Sequence, residues 1–128
     1  MTEKTHAKRF MIMASFSAMI ATILGAFAAH GLKAQFSSYQ LDVFKTGIFY
    51  QFIHSLALLS VGLILLHFKN QILYFSGWFF LSGIVLFSGG LYLLILTKVQ
   101  ILGIITPLGG ACLILGWFFL AIGLYKTE

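Results

Sequence analysis

Four long apolar stretches dominate the chain, and a lysine or arginine stands at their boundaries. No Asp, Glu, Lys or Arg occurs at 10–32, 46–68, 70–97 or 99–125. Each interval exceeds the ~20 residues that a helix needs to cross the hydrocarbon core of a bilayer. The pattern predicts transmembrane helices over about 10–30, 47–67, 72–96 and 101–125. Within the first, Ala14, Ala18, Ala21, Gly25 and Ala28 recur at alternating spacings of four and three. Such a seam of small residues lets another backbone approach closely. Gly109, Gly116 and Gly123 form a second seam at spacings of seven, and Ser76, Gly83, Phe87, Gly90 and Leu94 share a face in the third span.

The breaks between spans carry their own signals. Gly31 follows His30 at the end of the first span and suits the left-handed position that closes a helix. Ser37 and Gln40 have capping-box spacing, and Phe36, Tyr39, Val43 and Phe44 then share a face. These residues predict a short helix over 37–45 lying in the membrane surface. Thr106-Pro107 interrupts the start of the fourth span, predicting either a separate turn over 101–105 or a kink in one continuous helix. The expected fold is therefore all-α. It is an integral membrane four-helix bundle over 1–128, with an interfacial helix between the first two spans.

Composition agrees with this and narrows the function classes. The 128 residues are 60% hydrophobic and only 9% charged, against roughly 25% charged in an average soluble domain. The net charge of +5 does not signal nucleic acid, because the basic residues sit singly or in pairs at helix ends, where membrane proteins place them. The lone cysteine, Cys112, excludes an intramolecular disulfide and a dithiol redox pair. Ala26-Phe27-Ala28 imitates a signal-peptidase site, but the preceding apolar run is longer than the ~7–15 residues of a signal sequence, so a retained first helix is expected. Lys4, Lys8, Arg9, Lys69 and Lys126 fall on one side of a four-span topology, and Lys33, Lys45 and Lys98 on the other. That bias predicts cytoplasmic termini in a multi-pass membrane protein.

One stretch stands out chemically. Thr46 to Ser55 opens an apolar run, yet Gly47, Tyr50, Gln51 and His54 fall on one helical face. His30, Ser88, Tyr92 and Thr106 lie towards the same side of the membrane. These residues are the candidates for a ligand or proton site. A histidine inside a span is a functional hypothesis by default, because it titrates near neutral pH and is expensive in hydrocarbon. The competing reading is a neutral histidine bonded across helices, with Ser88 or Tyr92 as its expected partner. Tyr74, Trp78, Trp117 and Tyr125 read as an aromatic belt at the other side. No metal site is expected, since only His30 and His54 could pair and zinc wants three or four protein ligands. No carboxylate accompanies a serine and a histidine, so no catalytic residues and no cofactor are assigned.

At these residues a resemblance becomes specific. Gly25-Ala26-Phe27-Ala28-Ala29-His30-Gly31-Leu32, then Thr46-Gly47 with Tyr50-Gln51 and His54-Ser55-Leu56-Ala57, resemble the YgdD/YwdK family of small bacterial membrane proteins. Leu86-Phe87-Ser88-Gly89-Gly90-Leu91-Tyr92, Thr106-Pro107-Leu108-Gly109-Gly110 and Gly116-Trp117 extend the match over nearly the whole chain. Ala28 and Gly90 depart from it, standing where glycine and serine are expected. The resemblance implies a four-helix inner-membrane protein of a family without assigned activity, and it supplies no catalytic residues. The leading expectation is a structural or accessory membrane component, with the lipid bilayer and a homo-oligomer or another membrane protein as partners. The alternatives are a small transporter or channel, and a lipid- or quinone-binding protein, each using the polar cluster around His54.

Overall fold

A computed structural model describes residues 3–127, and all regular structure among the described residues is helical. Five α-helices follow one another: α1 (Glu3–His30), α2 (Ser38–Leu65), α3 (Gln71–Gly83), α4 (Gly89–Thr97) and α5 (Leu102–Tyr125). A π-helical turn, Ile84–Ser88, joins α3 to α4, so that Gln71–Thr97 runs as one span. Four helices are thus long and apolar enough to cross a membrane.

Several boundaries differ from the sequence expectation. The first helix begins at Glu3 rather than near residue 10. Ala7 is wholly buried in these added turns, and a Cβ on Gly62 of α2 would lie 3.0 Å from its carbonyl oxygen. Close backbone contact at that end extends the helix past its charged residues. The capping box is formed: Gln40 N–H donates to Ser37 Oγ at 3.2 Å, and Ser37 N–H to Gln40 Oε1 at 3.0 Å. The helix it opens, however, is not a separate surface element. Ser38–Leu65 is continuous through Lys45 and Gly47, because nothing in 45–47 interrupts the helical hydrogen bonds and a single glycine is tolerated within a helix. Leu102–Tyr125 is likewise continuous, with Pro107 inside it. Proline only withdraws the donor that Gly103 O would otherwise receive.

Gly31 is not left-handed: its φ is −83°, and the chain runs on into a 3-10 turn at Leu32–Ala34. The left-handed cap occurs instead at Lys98, with φ 58°, where the N–H donates to Leu94 O at 2.9 Å and ends α4. Asn70 caps α3 by accepting from Ile72 N–H at 2.8 Å. Its Nδ2 also donates to Gly123 O at 3.0 Å, clipping the α2–α3 connection to the last turn of α5.

Packing follows from what holds helices together in lipid. Acyl chains are as apolar as leucine, so close van der Waals contact and interhelical hydrogen bonds supply the attraction. α1 packs on α2, α3 on α5, and α2 also on the third span. Where helices approach, a large side chain is set onto a glycine, between α1 and α3 as well as between α3 and α5. A Cβ on Gly77 would fall 2.5 Å from the Phe10 ring, one on Gly116 2.6 Å from Phe80, and one on Gly123 2.5 Å from Leu73. Phe10, Phe80 and Leu73 are all buried, as are Ala14 and Ala21 of the first seam. Gly25 is the exception, since a Cβ there would meet only Ile48 Cγ2 at 3.8 Å, an ordinary contact.

Candidate functional site

His54 is buried at the middle of α2. Its Nδ1–H donates to Tyr50 O, one turn earlier, at 2.7 Å. Its Nε2 accepts from Trp117 Nε1–H of α5 at 3.0 Å. A carbonyl only accepts and an indole N–H only donates, so these partners assign the neutral Nδ1–H tautomer. Aromatic rings surround the imidazole: Tyr50 is stacked at 5.7 Å between centroids, and Phe80 and Trp117 each lie at 5.9 Å. The expectation of a cross-helix side-chain partner holds, but the partner is neither Ser88 nor Tyr92. Trp117, read from sequence as part of an aromatic belt, fills the role.

Gln51, one turn before Ser55, anchors a second set of bonds. Its Oε1 accepts from Tyr92 O–H of α4 at 2.7 Å. Its Nε2 donates to Ser17 O of α1 at 3.0 Å and lies 3.4 Å from Ser17 Oγ. Ser55 Oγ–H donates to Gln51 O at 2.6 Å, and its oxygen is 2.7 Å from Ser17 Oγ, whose own proton completes the pair. A primary amide has two donors and one acceptor oxygen, and Gln51 engages both ends of its amide across two helix interfaces.

The remaining candidates divide. Ser88 Oγ–H donates to Gly47 O of α2 at 2.7 Å. Gly47 permits this approach, because a Cβ there would lie 2.7 Å from the Tyr92 ring. Ser76 repeats the device between α3 and α5, donating to Gly116 O at 2.7 Å. In both cases a glycine lets a hydroxyl reach a carbonyl already engaged in its own helix. Tyr50 is partly exposed and packs its ring on Phe87 at 4.6 Å. His30 does not join the cluster; it is exposed in the last turn of α1, away from the middle of α2. The Thr106 hydroxyl is buried beside Gly90, without a hydrogen-bond partner among the described residues.

The cluster thus ties all four spans through α2. Two of its members escaped the sequence reading. Ser17 lies one residue from the small-residue seam but carries no signal of its own, because span hydroxyls commonly bond back to their own helix. Ser15, Thr22 and Ser60 all do so, at 2.8, 2.8 and 2.9 Å.

Residues 24–110 match the family described as a protein of unknown function, DUF423. The chain belongs to the DUF423 family. The part matched by the family runs from the end of α1 through the whole of α2 and the third span to Gly110, and so contains Gln51, His54, Ser55, Ser88 and Tyr92. Relatives extend the likeness over nearly the full length. A UPF0382 membrane protein of Staphylococcus aureus (strain bovine RF122 / ET3-1) is 42% identical over 119 residues, covering 93% of this chain and 97% of that one. The UPF0382 membrane protein of Staphylococcus saprophyticus is 43% identical over 93% of this chain and 98% of its own length. The UPF0382 membrane protein YwdK of Bacillus subtilis is 39% identical over 120 residues, 93% of this chain and 98% of that protein. No solved structure is significantly similar.

Proposed function

We propose that this membrane protein is a structural or accessory component of the inner membrane, not an enzyme, and that its polar cluster clamps the helices of a bundle. One observation carries the reading. His54 uses both ring nitrogens, and Gln51 both ends of its amide, on partners within the chain. A proton relay or transport site needs a polar group that can exchange partners along a passage, and the groups that tie the spans together are already engaged. Interhelical hydrogen bonds in membranes contribute about 0.6 kcal/mol each, up to about 1.7. Several spread over all four spans favour one arrangement of the helices over its neighbours.

The test joins stability to flux. His54→Gln retains an acceptor for Trp117 and is expected to lose less than about 1 kcal/mol of stability in detergent, whereas His54→Leu strands the indole N–H and is expected to lose about 1–2 kcal/mol. Proteoliposomes carrying the native protein should conduct protons no faster than empty ones. Proton flux that disappears in His54→Gln while the fold survives would replace the structural reading with the transport one.

The excess of Lys and Arg on the side of the termini supports a cytoplasmic location for both. A phosphatase fusion at the C-terminus should be inactive and a fluorescent-protein fusion bright. The reverse pattern would invert the topology.

A further inference from the structure

We propose that the groove between α1 and α2 holds the upper part of an acyl chain of an anionic phospholipid, with the headgroup phosphate between Lys33 and Lys45. The groove encloses about 480 Å³ at the His30 end of the two helices. Its walls are apolar: small residues of α1, centred on Gly25, face Ile48, Phe49 and Phe52 of α2. From Lys45 to Phe52 the depth along α2 is seven residues, roughly 10 Å. That is a shallow, open-sided slot that starts at headgroup level and runs into the acyl region.

Two features define the site. The first is charge. Lys33 and Lys45 both line the groove and both are exposed, and neither forms an ion pair with a carboxylate among the described residues. Thr22 also lines the groove, but its hydroxyl donates back to Ala18 O at 2.8 Å. The polar chemistry offered at the mouth is therefore cationic. A phosphodiester whose headgroup adds no positive charge complements two lysines, while a choline headgroup brings an ammonium among them. The second feature is the space left at Gly25. At Gly47, Gly62, Gly77, Gly83, Gly109, Gly116 and Gly123 a Cβ would come closer than 3.0 Å to a neighbouring helix. At Gly25 the nearest atom is 3.8 Å away. Close helix packing accounts for those seven; Gly25 is one of several glycines without so close a neighbour, and the one among them that lines this groove, where its missing side chain leaves the slot open.

The experiment is native mass spectrometry from micelles containing equal amounts of phosphatidylglycerol and phosphatidylcholine. The native protein is expected to carry phosphatidylglycerol in preference to phosphatidylcholine by about tenfold or more, as two lysines at a membrane surface warrant. Lys33→Gln/Lys45→Gln should bring the ratio close to one, while Lys4→Gln/Lys8→Gln, at the opposite end, should leave it unchanged. Gly25→Leu fills the slot and should abolish the retained lipid with both lysines in place, whereas Gly25→Ala should keep it. Glycerol 3-phosphate, which has the phosphate without the chains, should neither compete for the lipid nor form an adduct. A preference that survives Lys33→Gln/Lys45→Gln overturns the proposal, and so does lipid retained by a folded Gly25→Leu. If Gly25→Leu does not fold, the lysine variant decides alone, since both side chains are exposed and bear no part of the packing.

Discussion

Gly109→Ala is expected to be among the most damaging single-methyl changes in the protein. Gly109 of α5 lies against the π turn, and a Cβ there would run into the backbone of Leu86 and Phe87, with Leu86 C at 2.7 Å. A flexible side chain can swing aside, but here the obstacle is main chain in a neighbouring span. α5 must move away from the third span, opening the contact that also carries the Ser76 bond to Gly116. Overpacking of this kind costs about 1–3 kcal/mol, and rigid backbone puts the change at the upper end. Gly89→Ala is the matched control. A Cβ at Gly89 meets nothing within 4 Å, and alanine is the better helix former by about 1 kcal/mol, so this variant should be neutral or slightly stabilised. Thermal unfolding in detergent, followed by circular dichroism, compares the two directly. Equal melting temperatures would mean that α5 does not rest on the π turn.

The second large effect is expected at Gln51→Leu. The leucine is close in volume, so packing changes little, but it removes the acceptor of Tyr92 O–H and the donor to Ser17 O. Tyr92 is half-buried and its O–H is left without its acceptor; leaving such a polar group unsatisfied costs about 1–3 kcal/mol. Tyr92→Phe breaks one of these bonds and should lose about 0.6 kcal/mol, near the membrane average. In the double variant the two losses should not add, because the leucine leaves no amide oxygen for Tyr92 to satisfy. Strict additivity, or an unchanged melting temperature for Gln51→Leu, would show that the hydrogen bonds between α1, α2 and α4 do not hold the spans together.

The outcome at His54 explains how far the polar cluster could be read from the chain. A buried histidine bonded across helices follows from hydropathy alone, since an unpaired imidazole in hydrocarbon is too costly to keep. Its partner does not follow. Ser88 and Tyr92 are polar, lie in the adjacent span and were the natural choices, yet Ser88 turns to Gly47 O and Tyr92 to Gln51. Trp117 has one polar atom on a large apolar body, which makes it look like a belt residue until α5 brings its N–H to the imidazole. The surface helix over 37–45 failed for a different reason. Its cap and amphipathic face are local signals and are present, but whether a helix stops at a lysine–glycine boundary depends on the neighbours that cover it. Here Phe44 is buried at 4% exposure and packs its ring on Tyr92 at 5.1 Å, so the first turns of α2 stay in line with the rest.

By itself the sequence determined the number of spans, their apolar character, the capping box at Ser37 and the presence of small-residue seams, because each depends on residues close together in the chain. Tertiary structure decided which glycine receives which ring, where the π turn widens the third span, and which donor meets which acceptor at Gln51, His54 and Ser88. Those outcomes depend on the relative rotation and height of separate helices. A helical pattern specifies which face a residue occupies but not what stands opposite it.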